Sequence, residues 1–245
     1  LKSGSWGSVS FGNYDTPAKR MAAAFDPFPI SAAMGQGAQM WNQTATGGNG
    51  YNTVLSTSTT LSASNTQASF SRRQANLITY DAPTMNGFDF SFAYSAANEA
   101  TSLNSSATIQ KPRLWSTMLN YSNGPLALGV AYERHVDYNP GGAVGAVGVL
   151  TTTFGSVATL NGNYAGGNDS MYTLGAAYTF MGSLKLSGVF NRINYSNVTT
   201  PASANGADMS VNTFGVYADW AISGPHRVRL GYSAAGSTRG TLGSD

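Results

Sequence analysis

The chain has no cysteine, and only 10% of its 245 residues are charged, well under half of the roughly 25% usual in soluble domains. The missing thiols exclude a disulfide framework and any thiolate metal site, and they suit a protein that crosses an oxidising compartment. Long apolar runs are missing too. Although 42% of the residues are hydrophobic, no stretch approaches the roughly 18 consecutive apolar residues of a spanning helix, so a helical membrane protein is excluded. Two histidines, His135 and His226, are all the chain has. No leader opens it: Leu1-Lys2-Ser3-Gly4 runs straight into a strand pattern, which reads as a processed or truncated start.

What the chain has is Gly (29), Tyr (13) and Phe (11), arranged with period two. In the stretch 87–94 an aromatic ring stands at every second position, Phe88, Phe90, Phe92 and Tyr94, with Asp89, Ser91 and Ala93 between them. Successive strand side chains point to opposite faces, so this octet describes a sheet with oil on one side and water, not a packed core, on the other. That is the pattern of an antiparallel transmembrane β-barrel.

Nine segments of about ten residues repeat the pattern. The first runs from about Ser5 to Tyr14 and the second from Arg72 to Ala82; the aromatic octet is the third. The fourth shows Trp115, Thr117, Leu119 and Tyr121 on its oily face, and Asn123-Gly124 reads as a two-residue hairpin turn into the fifth, with Leu126, Leu128, Val130 and Tyr132. The sixth begins at Tyr172 and ends at Phe180. Met181-Gly182 turns it into the seventh, whose register blurs near Arg192 and suggests a bulge there. The eighth carries Phe214, Val216, Ala218 and Trp220, and Ser223-Gly224-Pro225 turns it into the ninth, Val228, Leu230 and Tyr232. Tight turns after the even-numbered segments alternate with long polar loops after the odd ones, as outer-membrane barrels place short turns on one rim and long loops on the other. Ten residues tilted by about 40° span roughly 25 Å, the height of the apolar band in such barrels.

Unpaired backbone in hydrocarbon costs several kcal/mol per group, so a barrel must close. Nine strands are odd where bacterial barrels have an even number, and the expectation is that strands are missing at both ends. The low-complexity stretch Gly141 to Gly167 has room for a further hairpin.

Two segments carry a family likeness. Ser5-Trp6-Gly7-Ser8-Val9-Ser10-Phe11-Gly12-Asn13-Tyr14-Asp15-Thr16-Pro17 resembles the strand that leads into the third loop of Gram-negative general porins, and Arg73 to Pro83 followed by Gly87-Phe88 resembles that family's next strand. The resemblance implies part of a sixteen-stranded, homotrimeric outer-membrane porin. Four strands would then be missing in front and three behind. In this reading residues 1–245 are one partial barrel domain, and the long connection 15–71 is the loop that folds inward as a constriction. Phe25-Asp26-Pro27-Phe28-Pro29 and Trp41 look like anchors of a packed loop. Asn13 stands where many family members carry a base.

The charges of that loop are Asp15 and Asp26 against Lys19 and Arg20, with Arg72 and Arg73 directly after it. Cations at a narrow constriction attract anions. By alternation Arg73 shares the lumen face with Thr79 and Asp81; Lys185, Arg227 and Arg229 also point inward, with Glu133, Asp89 and Asp219 across from them. Tyr14, Tyr80, Trp115, Tyr121, Phe180 and Trp220 near strand ends form the interfacial girdles that meet outer-membrane lipid and lipopolysaccharide.

Other classes fare worse. His135 at a strand end beside a loop and His226 in a tight turn fall on opposite rims and cannot share a catalytic site. Two separated histidines and dispersed carboxylates suggest no metal site, and no cofactor is expected. A formal charge of +2 spread over rims and lumen is no nucleic-acid footprint. The reading is therefore a general diffusion porin for small ions and hydrophilic solutes with weak anion preference. Two alternatives stay open: a surface adhesin or receptor barrel, which needs no inward loop, and a substrate-specific porin, which needs aromatics along the lumen, where Tyr217 alone is placed inside.

Overall fold

The computed structural model describes residues 1–28, 70, 73–96, 113–136, 168–200, 203–236 and 239–240. The period-two segments pair in sequence order into one antiparallel meander. Its strands are β1 (Lys2–Ser3), β2 (Gly7–Asp15), β3 (Arg73–Asp81), β4 (Phe88–Ala96), β5 (Arg113–Asn123), β6 (Leu126–Val136), β7 (Asn168–Phe180), β8 (Leu184–Thr200), β9 (Ser203–Ser223), β10 (His226–Ala235) and β11 (Arg239–Gly240). The nine predicted strands correspond to β2 through β10. The two-residue strands β1 and β11, too short for any periodicity to register, are additional; β1 pairs with β2 and β11 with the far part of β9. One helix, α1 (Pro17–Phe25), follows β2. No helix among the described residues is long and apolar enough to cross a membrane, which says nothing about strands.

One face of the sheet is apolar and exposed, with Phe88, Phe90, Phe92, Leu119, Val130, Leu174, Phe190, Phe214, Val216 and Leu230 all more than 40% accessible. A soluble sheet of this length would have to bury that face; hydrocarbon removes the need. The opposite face carries Ser91, Ser95, Ser116, Thr173, Asn191 and Thr213, and it is not simply wet. α1 and Phe70 cover its middle, burying Met171, Ile193 and Val211 in a small apolar cluster with Ala18, Met21, Ala22 and Phe25.

Several local expectations need correction. The tight turn after β5 is Gly124-Pro125, not Asn123-Gly124: Asn123 stays in the strand opposite Leu126, and Gly124 takes the positive φ of 55°. β8 and β9 replace the long loop expected after the seventh strand, pairing out to Thr200 and Ser203. No bulge occurs at Arg192, which is in continuous register with Tyr172 and Asn212; the shifts come farther along, after Tyr195. The blur read there is a change of solvent. Outward residues turn polar at Arg192 and Asn194 while the strand continues unbroken. The segments 98–111 and 141–167, Trp41 and Arg72 lie outside the described residues.

Candidate functional site

α1 is built by local rules. The Thr16 hydroxyl caps its first turn, accepting from the Lys19 backbone N–H at 3.3 Å, and Pro17 stands at the first helical position, where no N–H is needed. Ala18, Met21, Ala22 and Phe25 follow at i, i+3, i+4 and i+7, an apolar stripe that faces the sheet. The Ala18 N–H, which no helical carbonyl reaches, donates to Ser116 Oγ of β5 at 3.0 Å. At the other end Lys185 Nζ of β8 donates to the Ala24 carbonyl at 2.8 Å and Ser187 Oγ to the Phe25 carbonyl at 2.6 Å. The helix is thus fastened across the polar face of β5 to β8.

Its charges are largely paired. Lys19, 7% exposed, meets Asp15 at 2.6 Å. Arg20 meets Asp81 of β3 at 2.7 Å and Ser91 Oγ of β4 at 2.6 Å. Beside this pair lies a recess of about 180 Å³ lined by Ser10, Tyr14, Asp15, Arg20, Thr79 and Asp81. Tyr14 therefore belongs to the polar face and not to a girdle. The Asp26 carboxylate accepts from the Phe28 N–H at 2.9 Å, closing a turn at the helix exit.

Near the tight-turn end of β8 to β10, Arg227 and Arg229 both approach Asp219, each at 3.2 Å. Lys185 is the cross-strand partner of Asp219 on its other side. Asp89, at the tight-turn end of β4, accepts from the Thr84 hydroxyl.

Arg73 is placed differently from its expected position. Gln74 and Leu77 are both fully buried on the polar face, three residues apart, and Asn76 between them has a φ of 51°. Gln74 Nε2 donates to the Ser95 hydroxyl at 3.1 Å. This bulge interrupts the alternation between Arg73 and Thr79, and Arg73 is the cross-strand partner of Asp15. It is exposed, and its Nη2 donates to the Asn13 carbonyl at 2.7 Å.

A second cluster went unforeseen. His135, at 0% exposure, lies between Glu133 Oε1 at 2.9 Å and Asp169 Oδ1 at 2.7 Å. The Phe70 ring stacks on it with centroids 4.7 Å apart and an 18° interplanar angle. Glu133 is therefore no open lumen charge. Parity places Glu133 and His135 inside, but Asp169 precedes the predicted start of its strand. With both ring nitrogens turned to carboxylates, the geometry is that of an ion-pair cluster. Among the described residues no group of His, Asp and Glu is arranged to hold a metal ion.

Tyr80, Trp115, Tyr121, Phe180 and Trp220 all extend from the apolar side of the sheet near strand ends. Tyr80 donates to the Trp6 carbonyl at 2.9 Å, Tyr121 packs on Phe88 and Phe180 on Tyr178, each at 4.7 Å, and Arg134 lies over Trp115 at 5.9 Å.

Comparison with known proteins agrees with this architecture. The family model of Gram-negative porins matches residues 1–244. An outer membrane porin protein of Bordetella pertussis is 30% identical over 220 residues, which are 87% of this chain and 48% of that protein. The chain thus spans about half the length of the curated relative it matches. Among solved structures, the anion-selective porin from Comamonas acidovorans superposes with a TM-score of 0.57 at 20% identity, over 95% of this chain and 55% of the other. OmpT of Vibrio cholerae superposes with a TM-score of 0.57 at 12% identity, over 96% and 56%; at such identities the likeness is one of fold. The family match over nearly every residue, together with a meander of strands that is apolar on its exposed face, means that the chain belongs to the Gram-negative porins, β-barrel proteins of the outer membrane.

Proposed function

We propose that the protein is a passive diffusion channel for small hydrophilic solutes and ions, with a weak preference for anions, and that α1 is part of its constriction. The observation that carries the preference is the cluster of Lys185, Arg227 and Arg229 around Asp219, three positive charges against one negative, a local balance of +2 on the polar face. Lys19 and Arg20 contribute less net charge, because Asp15 and Asp81 neutralise them. Selectivity is thereby assigned to the wall near the tight turns and no longer to Arg73. The anion-selective porin of Comamonas acidovorans shares the fold.

The reading includes a homotrimer and a bilayer of lipid and lipopolysaccharide, met by Tyr80, Trp115, Tyr121, Phe180 and Trp220 as interfacial aromatics. It involves no catalytic step. A sugar track fits less well, since Tyr14 and Tyr217, the strand aromatics on the polar face among the described side chains, stand on β2 and β9, far apart in strand order.

The test is the reversal potential of the full-length protein in planar bilayers across a KCl gradient. Wild type should show an anion-signed potential that shrinks when Lys185, Arg227 and Arg229 are all changed to alanine and barely moves in Arg73→Ala. A cation-signed wild type would refute the preference, and a folded protein that conducts nothing would refute the channel.

A further inference from the structure

Two aromatic side chains at the exit of α1 are seated where the wall has no side chain at all. Phe25, the last residue of α1, is 2% exposed. Its ring lies over Gly129 of β6 and Gly175 of β7, which are direct cross-strand partners. A Cβ on Gly175 would stand 2.3 Å from Phe25 Cδ2, and one on Gly129 would stand 2.7 Å from Phe25 Cε2 and 2.9 Å from Met21 Cε. Phe28 repeats the arrangement on β10, where a Cβ on Gly231 would come within 2.6 Å of Phe28 Cε2 and 2.7 Å of Tyr217 Cδ1. The Phe28 and Tyr217 rings are 5.9 Å apart, tilted by 57°.

We infer that Phe25 and Phe28 are positioning residues that fix how far α1 stands from the barrel wall, and that Gly129, Gly175 and Gly231 are the seats that let it stand so close. Carbon atoms do not approach within 3 Å without displacement, and the Phe25 ring has little freedom to give way. Its backbone carbonyl is tied to Ser187, that of Ala24 is tied to Lys185, and the turn through Asp26 fixes the next aromatic. Even a methyl group at position 175 therefore lifts the end of the helix off the sheet, toward the open side of the polar face. In a channel whose obstruction is this helix, the gap between wall and helix and the bore beyond it change together, in opposite directions. The Phe-Asp-Pro-Phe segment is then a two-point clamp on β6, β7 and β10 that makes the bore a property of packing.

This inference rests on the reading of α1 as a constriction, and the experiment separates the two. Single-channel conductance and reversal potential are measured for the full-length wild type, Gly175→Val, Phe25→Ala and the double variant. Retention of the heat-resistant folded form on gels confirms that each barrel is intact. Gly175→Val should lower conductance by pushing the helix inward. Phe25→Ala should raise it and add open-channel noise by releasing the helix, and the double variant should return toward wild type because valine occupies the space the ring has left. If Gly175→Val does not fold, Gly175→Ala and Phe28→Ala supply the same comparison with smaller changes. Conductance unaltered across folded variants would overturn the inference alone. A double variant that merely repeats Gly175→Val would also overturn it, because the glycine would then serve the strand and not the ring. A folded wild type that conducts nothing would overturn the channel reading and this inference with it.

Discussion

His135 shows how a single side chain is decided by neighbours that sequence separation conceals. Its ring lies fully buried between Glu133 and Asp169, with a carboxylate oxygen at each nitrogen. Carboxylates offer only acceptors when ionised, so the imidazole is the group that keeps two buried acids compatible. Breaking such a cluster by removing one member leaves uncompensated charge in a poorly solvated place, and the cost is typically about 3–5 kcal/mol. His135→Ala is therefore expected to lower the urea midpoint of the detergent-folded protein markedly. An unchanged midpoint would mean that the acids are relieved some other way. Glu133 and His135 were readable as inward-facing by parity alone. Asp169 was not, because an Asn-Asp-Ser start carries no apolar alternation and resembles a turn. For Arg73 parity alone is no guide, because the positive φ at Asn76 interrupts the alternation between it and Thr79.

At the level of elements, the tight turns carry the register of the sheet. Gly224-Pro225 joins β9 to β10 with Ser223 opposite His226, and Gly224 has a φ of 53°. Glycine first and proline second in a two-residue loop matches the type II′ hairpin, whose twist agrees with that of the strands. A Cβ at Gly224 would meet nothing within 4 Å, so any penalty for a side chain there is conformational and not steric crowding by neighbours. Gly224→Ala is expected to cost about 1–2 kcal/mol, because an L side chain is strained at this positive φ, and Gly224→Asn less, because asparagine is the commoner replacement for glycine at the positive-φ positions of hairpin turns. Equal urea midpoints for the two variants would argue against this account. Strands and turns were legible because their chemistry is local. The helix has local signals too: Thr16-Pro17 is a start signal, and Ala18, Met21, Ala22 and Phe25 have helical spacing. What no local pattern contains is the surface that α1 lands on, since the seats for Phe25 come from strands more than a hundred residues later.

For the whole molecule, the two faces of one sheet meet two solvents, and the proposed selectivity belongs to the one that faces water. The apolar face announces itself in every strand, which is why the barrel class could be read from alternation, whereas the charge balance of the polar face depends on pairings across strands. Arg227 and Arg229 pair with Asp219 and Lys185 is its cross-strand neighbour, three positive charges to one negative; the arginines are substantially exposed, 52% and 40% by side chain, so dissolved ions screen them. If anion preference arises from the field of this cluster, it must follow the screening length, about 10 Å in 0.1 M salt and about 3 Å in 1 M. A solute passing several ångströms from the wall feels the cluster in the first case and hardly in the second. The anion-to-cation permeability ratio should accordingly be largest in dilute KCl and approach the ratio of free mobilities near 1 M. Measuring reversal potentials at a fixed gradient over that range separates field from contact: a ratio that persists undiminished in 1 M KCl would require anions to be held directly by guanidinium or ammonium groups, partly stripped of water, and would move selectivity from the exposed cluster to a tighter site beside α1.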